Sequence, residues 1–286
     1  MKIRDILASG KTTISFEVFP PKTEDKFESV QEVTHEIAAL HPDFMSVTYG
    51  AGGGTSQFTV DLAKSLQEAH DVPVLAHLTC VSSTREQVHT MLQKLQENGI
   101  ENVLALRGDI PEGGGLQEYR YAAELVHEIK AYGDFCIGAA CYPEGHVESK
   151  DKAADLKYLK EKVDAGVDFL TTQMFFNNEI LYRFLYKARE IGITQPICAG
   201  IMPVTSAKQM KRIGGLSGTE VPQRFLSILD KFGSSSKAMR QAGILYATEQ
   251  IVDLLANGIR HIHVYTMNKP ATAAAILNNL SEIIKV

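Results

Sequence analysis

The sequence predicts an α/β protein of the (βα)8 or TIM-barrel class, with extra helices between strands seven and eight. Two observations support this: apolar, β-rich runs alternate with helix-like stretches, and there are eight such runs. The predicted strands are TISFEVF (13–19), FMSVTYG (44–50), PVLAHLTC (73–80), NVLALRGD (102–109), CIGAACYP (136–143), FLTTQMFF (169–176), PICAGIMP (196–203) and HIHVYTMN (261–268). We expect a single domain over 1–286, because barrels of this class typically need about 250 residues.

Helix signals fill the intervals between these runs. The stretch KDKAADLKYLKEKVDAG (150–166) places Leu156, Leu159 and Val163 on one stripe. The segments ENGIENV, DAGVDFL, EIGITQP and ANGIRHI each put a Gly before Ile or Val at a helix end, as a left-handed C′ residue requires. Residues 204–260 must hold two or more helices. A doubly wound sheet is the alternative fold, although no GxGxxG follows the first run.

The composition of the chain argues against several classes of function. The net charge of −5 gives no case for nucleic-acid binding, and no apolar run approaches the roughly 20 residues that span a membrane. The N-terminus lacks the apolar core of a signal peptide, so we expect a cytoplasmic protein. The cysteines show no CxxC spacing and are expected to be reduced, with no iron–sulfur or metal site.

Polar residues collect at the ends of the predicted strands, where a barrel of this class has its active site. These residues are Glu17, Thr48, Tyr49, His77, Thr79, Arg107, Asp109, Tyr142, Glu144, Gln173, Tyr265 and Asn268. The strand beginnings are largely apolar by comparison. This asymmetry predicts a functional site at the carboxyl ends of the strands.

Glu17 is the most informative of these residues, because it interrupts an apolar strand. A carboxylate beside Phe16 and Val18 is costly to desolvate unless it is paired, protonated or used. One interpretation is an ion pair with an arginine such as Arg107; the other is a general acid. In ALRGD, Arg107 and Asp109 share a strand face, which also allows a local ion pair.

Other motifs leave alternatives open. His77 is a ligand contact, a metal ligand with Cys80, or a hydrogen-bonded core histidine. The glycine-rich stretches 49–56 and 111–115 are interpreted as flexible lids, since no GK[ST] of a P-loop follows. Asp155, Tyr158 and Lys162 lie on one helix face, which is ordinarily a solvated face.

Taken together, nine segments resemble the methylenetetrahydrofolate reductase family in its bacterial form with a catalytic domain only. They are SFEVFPPK, SVTYGAGG, AHLTC, LALRGD, YPEGH, KVDAG, TTQMFF, AGIMPV and HVYTMN, in that family's order. The resemblance implies a barrel that reduces 5,10-methylenetetrahydrofolate to 5-methyltetrahydrofolate, with electrons passing from NADH or NADPH through FAD. It places the protein in one-carbon metabolism and methionine supply, and we expect a homo-oligomer.

The resemblance also implies residue roles. Glu17 matches the catalytic acid that protonates N10 of the folate, and Asp109 matches an aspartate near flavin and pterin that stabilises a cationic iminium. Gln173, Gln209 and Lys269, together with Asp109, match folate contacts. The implied cofactor contacts are Thr48 (toward the nicotinamide), Tyr49, Ala51, His77, Arg107, Gly108, Asp109, Ala122, Tyr142, His146, Asp155, Tyr158 and Lys162.

The sequence departs from well-studied bacterial members of the family at several of these positions. Tyr158 replaces Asn and Glu161 replaces Arg, which changes the implied diphosphate or ribose contacts. Lys269 replaces Arg, which weakens a bidentate grip on the folate glutamate tail, and Ile213 stands near a Phe of those members that walls the nicotinamide and folate pocket. Two other functions stay open. One is a barrel lyase or aldolase that uses Glu17 as base; the other is a flavin- or folate-binding subunit of a larger electron-transfer complex.

Overall fold

Eight parallel strands close into a barrel in the computed structural model, which describes residues 1–49, 56–110, 114, 118–210 and 218–285. Each strand pairs with the next, and the last pairs with the first. The strands are β1 (Thr13–Val18), β2 (Phe44–Val47), β3 (Val74–Thr79), β4 (Asn102–Leu106), β5 (Cys136–Cys141), β6 (Phe169–Thr172), β7 (Ile197–Ile201) and β8 (His261–Tyr265). The predicted TIM barrel is confirmed, since the doubly wound alternative is an open sheet with two unpaired edges.

Helices alternate with these strands around the barrel. They are α1 (Ile3–Ala8), α2 (Phe27–Ala38), α3 (Ser56–His70), α4 (Arg85–Glu97), α5 (Ala122–Tyr132), α6 (Lys152–Asp164), α7 (Asn178–Glu190), α8 (Gln223–Phe232), α9 (Ser236–Ala256) and α10 (Pro270–Leu280). Both α8 and α9 lie between β7 and β8, as the length of that interval predicts. No helix among the described residues is long and apolar enough to cross a bilayer.

Local sequence signals predict the ends of the helices more accurately than the ends of the strands. Gly99, Gly166, Gly192 and Gly258 all have positive φ, between 68° and 120°, which confirms their predicted C′ role. The strands, in contrast, end earlier than predicted; β2 stops at Val47 rather than at residue 50. The strand-like composition continues beyond the last paired residue, so it does not reveal where pairing stops.

The strands bury apolar residues on both sides, in two separate layers. Ile14, Phe16 and Val18 of β1 point outward into the main core between barrel and helices. A second cluster fills one end of the barrel interior and is called the floor here. Its members are Ile3, Leu7, Phe44, Leu75, Leu104, Cys136, Phe169 and Cys198. Because two of these residues belong to α1, that helix closes the amino-terminal end of the barrel.

Hydrogen bonds and an ion pair fasten α1 and the residue Met1 before it to the amino-terminal ends of β4 and β6. The backbone N–H of Ile3 donates to Asn102 Oδ1 at 2.8 Å, and Asn102 Nδ2 donates to the Met1 carbonyl at 3.2 Å. Arg4 Nη1 lies 3.3 Å from Asp168 Oδ1. These contacts hold the floor in place. Among the described residues, the barrel interior is therefore accessible from the carboxyl ends of the strands.

Candidate active site

A polar layer lies inside the barrel directly above the floor, because alternate residues of each strand point inward. Its members are Ser15, Glu17, Ser46, His77, His263 and Tyr265. The Glu17 side chain stands between two imidazoles: its Oε2 lies 3.6 Å from His77 Nε2 and 3.5 Å from His263 Nε2. Glu17 is only 8% exposed. The carboxyl is therefore enclosed by polar side chains, whereas Phe16 and Val18 face away from it.

The hypothesis of an ion pair between Glu17 and Arg107 is wrong. Arg107 instead binds Glu148, with Nη1 2.5 Å from Oε2 and Nη2 2.8 Å from Oε1. These hydrogen bonds to Glu148 raise the pKa of Arg107. The hypothesis that Arg107 pairs locally with Asp109 is also wrong, because the guanidinium turns toward the loop after β5.

His77 is held by a hydrogen bond to a serine of β2. Its Nε2 lies 2.6 Å from Ser46 Oγ. Burial lowers the pKa of His77 to about 4, so the ring is neutral near pH 7. Burial raises the pKa of the Cys80 thiol to about 12, which keeps that sulfur protonated near pH 7. Within the described ranges, no group of three or more His, Cys, Asp or Glu side chains could hold a metal ion.

Two adjoining cavities open at the carboxyl ends of the strands. The first has a volume of about 740 Å³ and the second about 900 Å³. The residues that line both are Val81, Leu106, Arg107, Ile110, Tyr142 and His146. Because the cavities share this wall, they form one elongated space. Each cavity by itself has the volume of a typical small-molecule site, so the space can hold a ligand with two joined parts.

Every described residue of the predicted cofactor set lines this space. The first cavity is lined by Thr48, Tyr49, His77, Arg107, Gly108, Asp109, Tyr142 and His146. The second is lined by Arg107, Ala122, Tyr142, His146, Asp155, Tyr158 and Lys162, and also by Glu161. Ala51 and Ile213 lie outside the described residues. The structure thus brings together positions that lie between Thr48 and Lys162 in the sequence.

The face of α6 that carries Asp155, Tyr158 and Lys162 lies against the second cavity, so it is not an ordinary solvated face. Asp155 is buried and accepts a hydrogen bond from Ser149 Oγ at 2.8 Å. Lys162 Nζ donates to the Ala140 carbonyl at 2.5 Å, and burial lowers the pKa of this lysine. These bonds hold one anionic and one cationic group at fixed positions in the cavity wall.

An aromatic pair lies at the edge of the second cavity. The rings of Tyr121 and Tyr158 are 6.4 Å apart between centroids, with an interplanar angle of 14°. Both are well exposed, at 62% and 54%. Tyr121 was not singled out from the sequence, and it precedes the predicted contact Ala122. An exposed pair of parallel rings offers a flat apolar surface to a planar ligand group.

Gly108 meets a local requirement of the first cavity. Its φ is +87°, a left-handed conformation that favours glycine. A Cβ at this position would lie 3.0 Å from Thr79 Cβ. The chain therefore turns sharply after β4 and leaves a bare stretch of backbone in the cavity wall between Arg107 and Asp109.

Asp109 lines the first cavity, whereas the other three predicted folate contacts line neither cavity and lie near β6, β7 and β8. Gln209 Oε1 accepts a hydrogen bond from the Thr205 N–H at 3.1 Å, and Lys269 Nζ donates to Thr205 Oγ1 at 2.7 Å. Gln173 follows β6, and its N–H donates to the Cys141 carbonyl at 2.7 Å. The structure thus joins Gln209 and Lys269 through a threonine that sequence reasoning missed.

Sequence reasoning also missed His263 and the two serines that contact the histidines of the polar layer. The signal was present in HIHVY, where the two-residue period puts His261, His263 and Tyr265 on one strand face. That this face points toward Glu17 depends on barrel closure, which pairs Glu17 with Tyr265.

Comparison with known proteins agrees with this geometry. Residues 2–281 match the family model described as methylenetetrahydrofolate reductase. Methylenetetrahydrofolate reductase (NADH) 1 of Zea mays is 40% identical over 99% of this chain, which spans about half (50%) of that protein. The 5,10-methylenetetrahydrofolate reductase of Pectobacterium carotovorum subsp. carotovorum is 36% identical, over 95% of this chain and 91% of its own length.

Two solved structures share the fold at low sequence identity. A Clostridium thermocellum protein that binds two copies of 5-methyl-5,6,7,8-tetrahydrofolic acid superposes with a TM-score of 0.69 at 17% identity, over 100% of this chain and 99% of its own. A 2,3-dimethylmalate lyase gives 0.55 at 12% identity, over 99% and 86%. These likenesses show the barrel alone. The family model, which covers nearly the whole sequence, and the bacterial relative go further: the chain belongs to the methylenetetrahydrofolate reductase family.

Proposed function

We propose that the chain reduces 5,10-methylenetetrahydrofolate to 5-methyltetrahydrofolate, with FAD carrying electrons from NADH or NADPH. The observation that carries the proposal is the placement of one enclosed carboxyl, Glu17, beside an elongated space lined by the whole described cofactor set. The family match supports the same reaction class. Methionine supply and a cytoplasmic location follow as expectations.

The chemistry of the two cavities fits a flavin dinucleotide. Lys162 and Arg107 supply positive charge for a diphosphate or for ring carbonyl oxygens. Tyr121 and Tyr158 supply an aromatic surface at the outer edge. The buried hydroxyl of Tyr119, in the same wall, has no hydrogen-bond partner among the described residues, so it is available to a ligand. When bound, the flavin supplies hydride transfer between nicotinamide and folate.

The protein's own contribution to folate reduction is acid chemistry at Glu17. The acid must donate its proton to N10 of the folate, which opens the five-membered ring and leaves a cationic iminium at N5. No Lys or Arg forms an ion pair with Glu17 in the described part of the chain. The carboxyl can therefore lose and regain a proton without breaking a salt bridge.

Other residues bind the ligands or stabilise the positive charge of the iminium. Asp109 projects into the first cavity and can stabilise the iminium electrostatically. Gln209 and Lys269, joined by Thr205, are positioned to bind polar parts of the folate, with Lys269 as a single cation for a carboxylate. Thr48, in the first cavity, is the proposed contact for the nicotinamide donor.

Separate measurement of the two half-reactions tests this proposal. The purified chain, as isolated or reconstituted with FAD, should show the absorption band of an oxidised flavin at about 450 nm. Stopped-flow mixing with NADH, the donor named for the Zea mays relative, should bleach this band, and methylenetetrahydrofolate should restore it. NADPH is then tested in the same way.

Each alternative function gives a different result in these assays. A protein that cannot be loaded with FAD would overturn the proposal and favour a lyase. A chain that binds flavin and folate but is reduced by neither nicotinamide would favour the subunit of an electron-transfer complex.

A further inference from the structure

We propose that Met202 is a modification site, at which hydrogen peroxide oxidises the thioether to a sulfoxide that displaces Gln209 and weakens folate binding. The modification itself does not depend on the reaction that the chain catalyses. Its effect on folate rests on the proposed function. Among the described residues, no member of the apolar cluster that contains Met202 lines either cavity, so we expect the cofactor half of the site to be spared.

Three adjacent strands of the barrel are each followed by a methionine. Met174 comes two residues after β6, Met202 directly follows β7, and Met267 comes two residues after β8. These three residues are called the methionine rim here. They belong to one apolar cluster together with the buried Met210 and Met239. Five of the eight methionines of the chain therefore lie together, near the strand ends that carry the predicted folate contacts.

Met202 contacts a predicted folate-binding residue directly. Gln209 Nε2 donates to Met202 Sδ at 3.3 Å and to the Pro203 carbonyl at 3.4 Å. At the other end of the same amide, Gln209 Oε1 accepts from the Thr205 N–H at 3.1 Å. A thioether sulfur is only a weak acceptor. The position of the Gln209 amide thus depends on a neighbour at residue 202 that does not compete strongly for its N–H group.

Oxidation changes the chemistry of this neighbour. The sulfur of Met202 attacks one oxygen of hydrogen peroxide, so that a sulfur–oxygen bond forms while the O–O bond breaks. The departing hydroxide takes the proton of the transferred oxygen and becomes water. Sulfur loses two electrons and the peroxide gains them, so no further reactant is needed. The product is a polar, chiral sulfoxide in place of a flexible apolar side chain.

The new oxygen would lie in apolar surroundings. Met202 is only 9% exposed, and Phe176 and Val204 belong to the same cluster. A buried polar oxygen is costly unless it receives a hydrogen bond, and the donor already at this sulfur is the Gln209 amide. We therefore expect the sulfoxide oxygen to take that N–H and to pull the amide away from Thr205. The predicted folate contact then leaves its present position.

The cysteines are poor targets for the same oxidant. Peroxide reacts with the thiolate form, and burial raises the pKa of Cys80, Cys136 and Cys141 to about 12. Burial also raises the pKa of Cys198. All four thiols are buried and stay protonated near pH 7. A thioether needs no deprotonation, so we expect methionine sulfur to be oxidised before cysteine sulfur.

Peptide mapping by mass spectrometry tests the modification. The full chain is treated with hydrogen peroxide, and catalase ends the reaction. We expect sulfoxide at the partly buried Met174 and Met267 first and then at Met202, whereas Met45 and Met239, both 0% exposed, should stay reduced. If Met202 stays as reduced as Met45 and Met239, the proposal is overturned.

The kinetic test compares the wild type, M202L and M239L, each before and after peroxide treatment. Leucine has a similar volume and forms no sulfoxide. In the wild type and in M239L, we expect oxidation to raise the KM for methylenetetrahydrofolate about 3- to 10-fold, the range expected for one displaced hydrogen-bonding contact. Flavin reduction by NADH should be unchanged. M202L should keep the KM that it has before treatment, and a rise equal to that of the wild type contradicts the proposal.

Two further measurements complete the test. Methionine sulfoxide reductases specific for the two epimers should restore the wild-type KM, and a loss that they do not reverse would count against Met202. The urea midpoint should fall on oxidation in the wild type and less in M202L, because the polar oxygen is buried in an apolar cluster. If the untreated chain reduces no folate, the proposed function fails, whereas peptide mapping and the urea midpoints still decide whether Met202 is the site.

Discussion

Arg107 and Glu148 form a two-pronged ion pair, Nη1 to Oε2 at 2.5 Å and Nη2 to Oε1 at 2.8 Å, in the wall shared by the two cavities. Both guanidinium prongs are thereby engaged away from Glu17. This pairing has a consequence for mutagenesis. Because Glu17 neutralises no arginine, replacing it should change the chemistry without leaving a buried cation unpaired.

We predict that E17Q keeps flavin binding and flavin reduction but loses folate reduction. Glutamine has a similar shape but cannot release a proton to N10, so the folate half-reaction should slow by about 100-fold or more. Stopped-flow rates of both half-reactions measure this. E97Q, the same substitution at an exposed site on α4, should match the wild type. Retained folate turnover in E17Q would remove this residue from the mechanism.

We predict that D109N raises the reduction potential of the bound flavin and slows folate reduction. The carboxylate in the first cavity disfavours negative charge on the reduced flavin, and its loss removes that repulsion. A spectroelectrochemical titration gives the potential. D164N removes an exposed carboxylate at the end of α6 and serves as the control. Equal potentials in D109N and the wild type would contradict the electrostatic role.

We predict that Y121A and Y158A weaken binding of FAD but not of FMN. The two rings lie at the outer edge of the second cavity. If they hold the adenine of FAD, then FMN, which lacks that group, should bind without them. A lost stacking contact should reduce FAD affinity roughly 2- to 10-fold. Quenching of flavin fluorescence gives both dissociation constants. Y186A, at an exposed tyrosine of α7, is the control; equal losses for FAD and FMN would argue against adenine stacking.

We predict that the chain loses stability as the pH falls from 6.5 to 4, partly because of His77. Its folded pKa is about 4 against an ordinary 6.5, so the unfolded chain takes up the proton first on acidification. The folded state should lose up to about 3 kcal/mol over that window. Urea unfolding at several pH values should show a shallower slope in H77Q than in the wild type. H127Q, at an exposed histidine, should keep the full slope.

We predict that G138A destabilises the barrel. A Cβ at Gly138 would lie 2.6 Å from Phe169 Cζ and 3.0 Å from Leu104 Cδ1, inside the apolar interior. Overpacking of this kind costs about 1–3 kcal/mol, which should lower the urea midpoint. G133A is the matched control, because a Cβ there has no atom within 4 Å and its φ of 179° suits any residue. A G138A midpoint equal to that of G133A would show that the interior adapts.

The sequence was sufficient to predict the barrel but not the surroundings of its acid. The apolar strand runs and the C′ glycines are local signals, and the structure contains the strands and helix ends that they predict. Alternation along β1 correctly put Glu17 opposite Phe16 and Val18. It could not show which partners meet the carboxyl, because His263 is distant in sequence and reaches Glu17 only when β8 closes on β1. The predicted ion pair between Glu17 and Arg107 was wrong for the same reason.

The cofactor positions show a different limit. Spacing alone made the row on α6 look like a solvated face, and only the family resemblance pointed to a ligand. In the structure the row lines a cavity, together with described residues that follow β4 and β5 in the sequence. A periodic pattern identifies which residues share a face; it does not identify what lies opposite them.

Because α1 and the apolar floor close the amino-terminal end of the barrel, Glu17 lies nearer to solvent at the carboxyl ends of the strands, among the described residues. We therefore expect a ligand bound over the strand ends to slow the exchange of a proton between Glu17 and bulk water.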